Sequence, residues 1–355
     1  MLNYDKSIVE ELEESRPRIP VGLLSRDEKD RLIERGFLAL YRWYVDRSQA
    51  LRNWSPDRDV DWKSIRQDHS YEINRILEGF FAVEQYVPDY VENIVNLIRR
   101  SHGRSHFQIR WGSEESKHAD LWHNACLFSR FRSPDWLRGY MGELRTNQWT
   151  LPWEGDPMRM IFYTVFQERA TQINYLGMGV IAKGESKLDQ FKDSGDPVLV
   201  QASRLIAIDE AAHYNFFLEG ARLFMYYYPA QALEAMYDVI KYFSMPAGGI
   251  IPNYDEFSTI VHRAGIYGPR EHSRDVIQVA LDNLGMASKK LLEDGIRRTR
   301  LVPDEDGNLR ETAIFPGLDF KHIEDAVRRM FDRTGKYEAE IGFDLVDPLE
   351  FKPAY

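Results

Sequence analysis

Apolar residues recur along most of this chain at steps of three and four, the spacing of one face of an α-helix. In RILEGFFAVEQYVPDYVENIVNLI, Leu77, Phe80, Phe81, Val87, Val91 and Ile94 or Val95 form such a stripe, with Glu84 inside it. Phe107, Trp111, Glu115, His118, Trp122 and Ala125 make one continuous face of a helix over 103–130. Glu114 and Lys117 fall off that face, toward solvent or behind it. Phe162, Val165, Tyr175 and Leu176 mark a helix over 157–182 around Glu168. RLIAIDEAAHYNFFLEG lies in a helix over 197–227, with Asp196 as its N-cap and Pro197 in its first turn.

The local signals fill in the remainder. Ser25 and Glu28 form a capping box, with Leu24 as a staple, opening a helix over 26–50. A helix over 64–101 holds Glu84 near its centre. Pro88 has no amide hydrogen to offer the Glu84 carbonyl, so that helix should bend there. Further helices are expected over 5–14, 134–147, 229–244, 270–293 and 319–335. Pro246 and two glycines stop the one that ends at 244. The expected class is all-α. Residues 1–60 should pack on a four-helix bundle over 61–228, residues 229–300 should add helices to it, and residues 301–355 should form a last helix and an irregular tail.

Within this frame the chemistry lies in two Glu-x-x-His steps, Glu115 with His118 and Glu210 with His213. Residues three apart share a helix face, so each pair points a carboxylate and an imidazole into one space. A dimetal bundle needs two such pairs and one further Glu from each of two other helices. Glu84 and Glu168 occupy those places, in the order single, pair, single, pair. Four carboxylates and two imidazoles suit iron or manganese and disfavour a thiolate zinc or copper site. Two divalent ions would balance the four carboxylates; without metal some of them would have to be protonated.

Composition narrows the partners. The chain has 355 residues with a formal charge of −10, an unfavourable balance for neutralising phosphates, so nucleic acid is excluded as an expected partner. No apolar stretch is long enough to span a bilayer, and the acidic start has no secretory pattern. The single cysteine, Cys126, fits a reducing cytoplasmic setting and a packing role. His102, His106 and His123 are read as structural or surface groups.

The motifs FQERAT, WGSEESKHADL and AIDEAAH, with EQYVPDY and the later FSMPA, resemble those of the soluble acyl-carrier-protein desaturases, over about residues 60 to 285. The resemblance implies a ferritin-like four-helix bundle with additional helices. It implies two iron ions held by Glu84, Glu115, His118, Glu168, Glu210 and His213, with dioxygen as co-substrate. It carries over a tryptophan beside the second ligand helix to Trp111, a threonine on the oxygen-binding side to Thr171, and an aspartate before the last Glu-x-x-His to Asp209. It also implies an acyl chain on acyl carrier protein as substrate, a ferredoxin-like electron donor and a homodimer. A diiron oxygenase, acting by hydroxylation, epoxidation or amine oxidation, is the alternative with the same ligands. Trp122, Phe162, Thr171, Tyr175, Gly179 and Phe217 are candidates to line a substrate tunnel. Arg138, Arg145, Arg159 and the basic cluster at 297–300 are candidates to meet an acidic carrier.

Overall fold

The computed structural model describes residues 24–153 and 155–286, with Val302–Pro303, Leu309–Arg310 and Ala339. The helices expected over 5–14 and 319–335, the 297–300 cluster and most of the 301–355 tail lie outside the described residues. Nearly everything described is helical. The exception is an antiparallel pair of two-residue strands, β1 (Val302–Pro303) and β2 (Leu309–Arg310).

Helix α1 (Arg26–Trp43) opens with the capping box: the Glu28 amide donates to Ser25 Oγ, and the Glu28 carboxylate accepts from the Ser25 amide at 2.9 Å. The expected continuation to 50 changes character, passing through a π-helical turn (Tyr44–Ser48) and a 3-10 turn (Gln49–Arg52). This widening turns Tyr44 and Arg52 inward, where they meet Glu114.

The helix expected over 64–101 is two helices, α2 (Tyr71–Glu84) and α3 (Val87–Ile98). Ser70 caps the first, so it starts later than the apolar stripe suggested. Glu84 is its last residue rather than its centre. The cause is the one that predicted a bend: Pro88 cannot donate to the Glu84 carbonyl. Here the ladder stops altogether. The amides of Gln85 and Tyr86 turn back to Ala82 and Val83, and Pro88 sits in the first turn of α3.

The next elements are α4 (His102–Phe128), α5 (Pro134–Leu144), α6 (Pro157–Ala182), α7 (Pro197–Tyr227) and α8 (Pro229–Tyr242). A helix absent from the sequence expectation, α9 (Tyr254–Arg263), follows; its ten residues are too short and polar to stand out by period. Of the helix expected over 270–293, residues 287–293 lie outside the described residues, and the rest is α10 (Pro269–Glu271), a π-helical stretch (His272–Ile277) and α11 (Gln278–Asn283).

Helices α2, α4, α6 and α7 form the central bundle: α6 packs along α7, α2 along α4, and α4 also meets α7. Helix α1 covers α4 and α7, α3 covers α4, α8 packs on α6 and α7, and α9 packs on α2. The bundle helices are thus enclosed on several sides, which explains why Glu114 is only 3% exposed although it lies off the ligand face. Cys126 is buried in this core.

Close helix approach depends on Gly103 at the start of α4. A Cβ there would stand 2.4 Å from the Phe37 carbonyl oxygen of α1, and backbone cannot swing aside. Gly103→Ala should therefore destabilise the fold by about 1–3 kcal/mol. Gly139→Ala on α5, with open space around its Cβ, should be neutral or stabilising by up to about 1 kcal/mol. Chemical denaturation of the two variants checks the contrast.

Candidate metal centre

Glu84 ends α2, Glu115 and His118 stand on α4, Glu168 on α6, and Glu210 and His213 on α7. All six are buried. Donor atoms of Glu84, Glu115, His118 and Glu210 lie within 4.8 Å of one another, as do those of Glu115, Glu168, Glu210 and His213. Glu115 and Glu210 belong to both groups. The structure thus holds two adjacent four-donor sets with two carboxylates in common.

Both imidazoles turn Nδ1 into the cluster. His118 Nδ1 lies 3.2 Å from Glu115 Oε2 and 3.4 Å from Glu210 Oε1. His213 Nδ1 lies 2.9 Å from Glu115 Oε1 and 3.4 Å from Glu168 Oε2. Despite these short separations, Glu115 Oε1, Glu168 Oε2 and His213 Nδ1 are buried and make no hydrogen bond. Buried polar atoms are almost always paired. Lone pairs gathered around a common point without hydrogen bonds are what divalent cations would satisfy, so the residues fit a two-metal group.

Behind the cluster, each imidazole meets a carboxylate from the other Glu-x-x-His helix. His118 Nε2 lies 3.3 Å from Asp209 Oδ2, and His213 Nε2 lies 2.7 Å from Glu114 Oε2. A proton on Nε2 leaves Nδ1 free to act as a ligand. Arg52 joins the two supports, with Nη1 3.0 Å from Glu114 Oε2 and 2.5 Å from Asp209 Oδ1. Tyr44 donates to Glu114 Oε2 at 2.6 Å, and the Trp54 indole donates to Asp209 Oδ2 at 2.9 Å. Lys117 Nζ adds a contact of 3.3 Å to Asp209.

Charge is divided sharply between these layers. In the protein alone, burial, and then the charge of Glu115 for one and Glu210 for the other, pushes the Glu84 and Glu168 carboxyls well above the usual range. Glu210 shifts the other way: burial opposes ionisation, but the neighbouring His118 and His213 imidazoles hold it well below. Burial likewise opposes ionisation of Glu114, yet His213, Arg52 and Tyr44 bring it down to about 2. Glu114 and Asp209 are held as anions, while Glu84 and Glu168 need cations or protons.

The three further residues singled out in the sequence each touch a cluster residue. Trp111 donates from Nε1 to Glu168 Oε1 at 3.0 Å. Thr171 Oγ1 lies 2.9 Å from Glu210 Oε2, but also 3.0 Å from the Glu168 carbonyl and 3.2 Å from that of Gln167, so one hydroxyl proton has three acceptors. Asp209 supports His118 on the opposite helix. Arg52 and Trp54 carry no signal in the sequence, and Tyr44 shows there only as a core residue on the apolar side of the helix expected over 26–50. They lie in the irregular stretch after α1, and Arg52 meets Asp209 across 157 positions.

Beside the cluster lies a cavity of about 760 Å³. Phe80, Val83, Thr171, Asn174, Tyr175 and Phe257 form part of its wall, and Tyr175 donates from its hydroxyl to Glu84. Of the expected tunnel residues, Thr171 and Tyr175 line this cavity. Trp122 and Phe162 are fully buried in the core, Gly179 is absent from its wall, and Phe217 lines a separate small void with Gln108 and Phe107. A helical period shows which side of a residue is apolar, not which side is empty. Arg138 and Arg159, candidates for a carrier surface, are engaged by Asp135 and by Asp156 with Asp238. His102 and His106 stack on each other, 4.1 Å apart, away from the cluster residues.

Residues 61–301 match the family model described as fatty acid desaturase. The chain is 25% identical over 220 residues to stearoyl-[acyl-carrier-protein] 9-desaturase 5, chloroplastic, of Arabidopsis thaliana, covering 58% of this chain and 53% of that protein. It is 27% identical over 223 residues to a chloroplastic stearoyl-[acyl-carrier-protein] 9-desaturase of Brassica napus, covering 57% of this chain and 52% of that one. The chain spans about half the length of the curated relatives it matches. Its fold is like that in the X-ray structure of the acyl-ACP desaturase candidate DesA2 from Mycobacterium tuberculosis H37Rv, with a TM-score of 0.51 and 16% identity over 74% of this chain and 96% of that one.

Proposed function

The chain belongs to the fatty acid desaturase family, and from that premise we propose that it is an oxygen-dependent dimetal desaturase acting on a saturated acyl chain carried by acyl carrier protein. The observation that carries this reading is the pair of four-donor sets sharing Glu115 and Glu210, set against a cavity whose wall includes Thr171 and Tyr175. Two iron ions, when bound there, would supply the activation of dioxygen by which two hydrogens leave the chain, using two electrons from a ferredoxin-like donor.

The protein's own contribution is position. Glu115 and Glu210 would bridge the ions, with Glu84 and His118 completing one site and Glu168 and His213 the other. Asp209 and Glu114 hold the imidazole protons on Nε2. Phe80, Val83 and Phe257 give the chain an apolar wall and keep water from the reacting carbons. Thr171 holds a proton at Oγ1 between that wall and Glu210, with the carbonyl of Glu168 as an alternative acceptor. The carrier protein, the ferredoxin-like donor and a homodimeric assembly enter this proposal through family likeness. Among the described residues no helix is long and apolar enough to cross a membrane.

The test incubates the iron-loaded protein with ferredoxin, its reductase and saturated acyl carriers under labelled dioxygen, and reads the products by mass spectrometry. The expected product is lighter by two hydrogens and carries no label. Label retained in the product would make the protein an oxygenase. Inertness toward every acyl carrier, with turnover of free acids or coenzyme A thioesters, would overturn the carrier assignment.

A further inference from the structure

Glu84 and Glu168 each belong to only one of the two donor sets. Each also accepts a hydrogen bond from a buried aromatic side chain, Glu168 from Trp111 and Glu84 from Tyr175. The two donors are equally buried, both 2% exposed, but their surroundings differ. Trp111 has no part in the wall of the large cavity, whereas Tyr175 is part of it. The Tyr175 ring packs edge-on to Phe80, with centroids 5.1 Å apart, and lies 28° from the plane of Trp122 at 5.7 Å. Phe80 lines the same cavity.

The two carboxylates also differ in backbone support. Glu168 stands in the middle of α6, while Glu84 is the last residue of α2, where the hydrogen-bond ladder breaks. One oxygen of Glu84 is therefore placed by a side chain that faces the cavity. A ring needed only for packing would have no use for a hydroxyl at this depth, because a buried phenol must find an acceptor.

We infer that Tyr175 is a positioning residue that links the contents of the cavity to the Glu84 half of the centre, an inference that rests on the metal reading proposed above. A chain packed against the ring fixes the phenol, and the phenol fixes Glu84 Oε1, leaving the other oxygen for an ion. Glu168 itself is tied to Trp111, which is not part of that wall, and the wall hydroxyl of Thr171 reaches the shared Glu210 rather than either single carboxylate. Tyr175→Phe keeps the ring and removes the donor, so Glu84 becomes free to present both oxygens.

The test uses the full chain loaded with cobalt(II), whose visible bands report ligand geometry without turnover, and palmitoyl pantetheine as the probe. Wild type should take up about two ions per chain and shift its cobalt bands when the probe binds. Tyr175→Phe should keep both ions and bind the probe within about threefold, yet show altered bands without probe and a probe-induced shift reduced about fivefold or more. Tyr175→p-aminophenylalanine, which restores a donor at the same position, should recover the response and covers the case in which the phenylalanine variant folds poorly. Wild-type bands and response in Tyr175→Phe would overturn the inference, as would a wild type that binds cobalt but neither binds nor senses the probe. Failure of wild type to bind cobalt would sink the metal reading, and this inference with it.

Discussion

Glu115→Ala should strip the protein of both ions together, lowering bound iron from about two per chain to well under one. Glu115 offers an oxygen to each donor set, so its loss leaves both short of a ligand. The same substitution should act in the opposite direction on the metal-free protein. The Glu115 charge helps push the Glu84 and Glu168 carboxyls up, so removing it relieves repulsion in the buried volume. Wild type should therefore melt at a higher temperature with iron than with chelator, by a margin worth about 4 kcal/mol when free ion exceeds its dissociation constant about a thousandfold. In Glu115→Ala that margin should vanish, with the chelated form no less stable than chelated wild type. Glu114→Ala should behave differently and lose stability with and without iron, because it removes the partner of Arg52, Tyr44 and His213. Metal analysis with calorimetry separates these outcomes. Retention of about two irons in Glu115→Ala would show that the metal lies elsewhere.

Arg52→Met should be the most damaging change outside the cluster itself. The Arg52 side chain is 9% exposed and bridges Glu114 and Asp209, which are themselves enclosed. Removing the cation from such a group leaves buried carboxylates without compensation, a loss of about 3–5 kcal/mol. Arg138→Ala offers the contrast. Its side chain is 69% exposed beside Asp135, and its removal should cost less than about 1 kcal/mol. The acid limb of the stability curve should shift as well. Glu114 is held at about 2 in the folded protein, so its contribution is complete above the usual carboxylate range and fades as pH falls toward 2. Without Arg52, one of the groups lowering it, that contribution should be smaller and be exhausted at higher pH. Denaturation midpoints measured across acid pH would reveal both effects, and an Arg52→Met protein as stable as wild type would dismiss them.

The four helices that bring the cluster together were legible because their signals are local. A Glu and a His three residues apart share a face wherever the segment is helical, and Glu84 and Glu168 each lie in an apolar stripe. The break after Glu84 was only half legible. Pro88 announces a missing hydrogen bond, but whether the helix bends or ends depends on packing across the turn. Glu114 was read as lying toward solvent or behind the ligand face; only the enclosure of α4 by α1, α2, α3 and α7 decides for the second. Arg52 and Trp54 were not legible at all, since an arginine meeting Asp209 from 157 positions away leaves no periodic trace, and Tyr44 was legible only as a buried ring, not as a donor to Glu114. Helix α9, which supplies Phe257 to the cavity wall, is too short and mixed to be read by pattern.

The exchange of carboxylates between α4 and α7 has a mechanical consequence. Each helix lends an anion to the other's imidazole, Glu114 to His213 and Asp209 to His118, so two crossed struts tie the pair. Apolar surfaces tolerate small sliding, because one methylene can replace another at little loss. A hydrogen bond does not, and advancing either helix by one residue would move its side chains by about 1.5 Å along the axis and turn them by about 100°. Both struts would fail in the same step. The alignment of the two helices is thus fixed from behind the cluster, and the ligand atoms inherit a spacing that they need not enforce themselves.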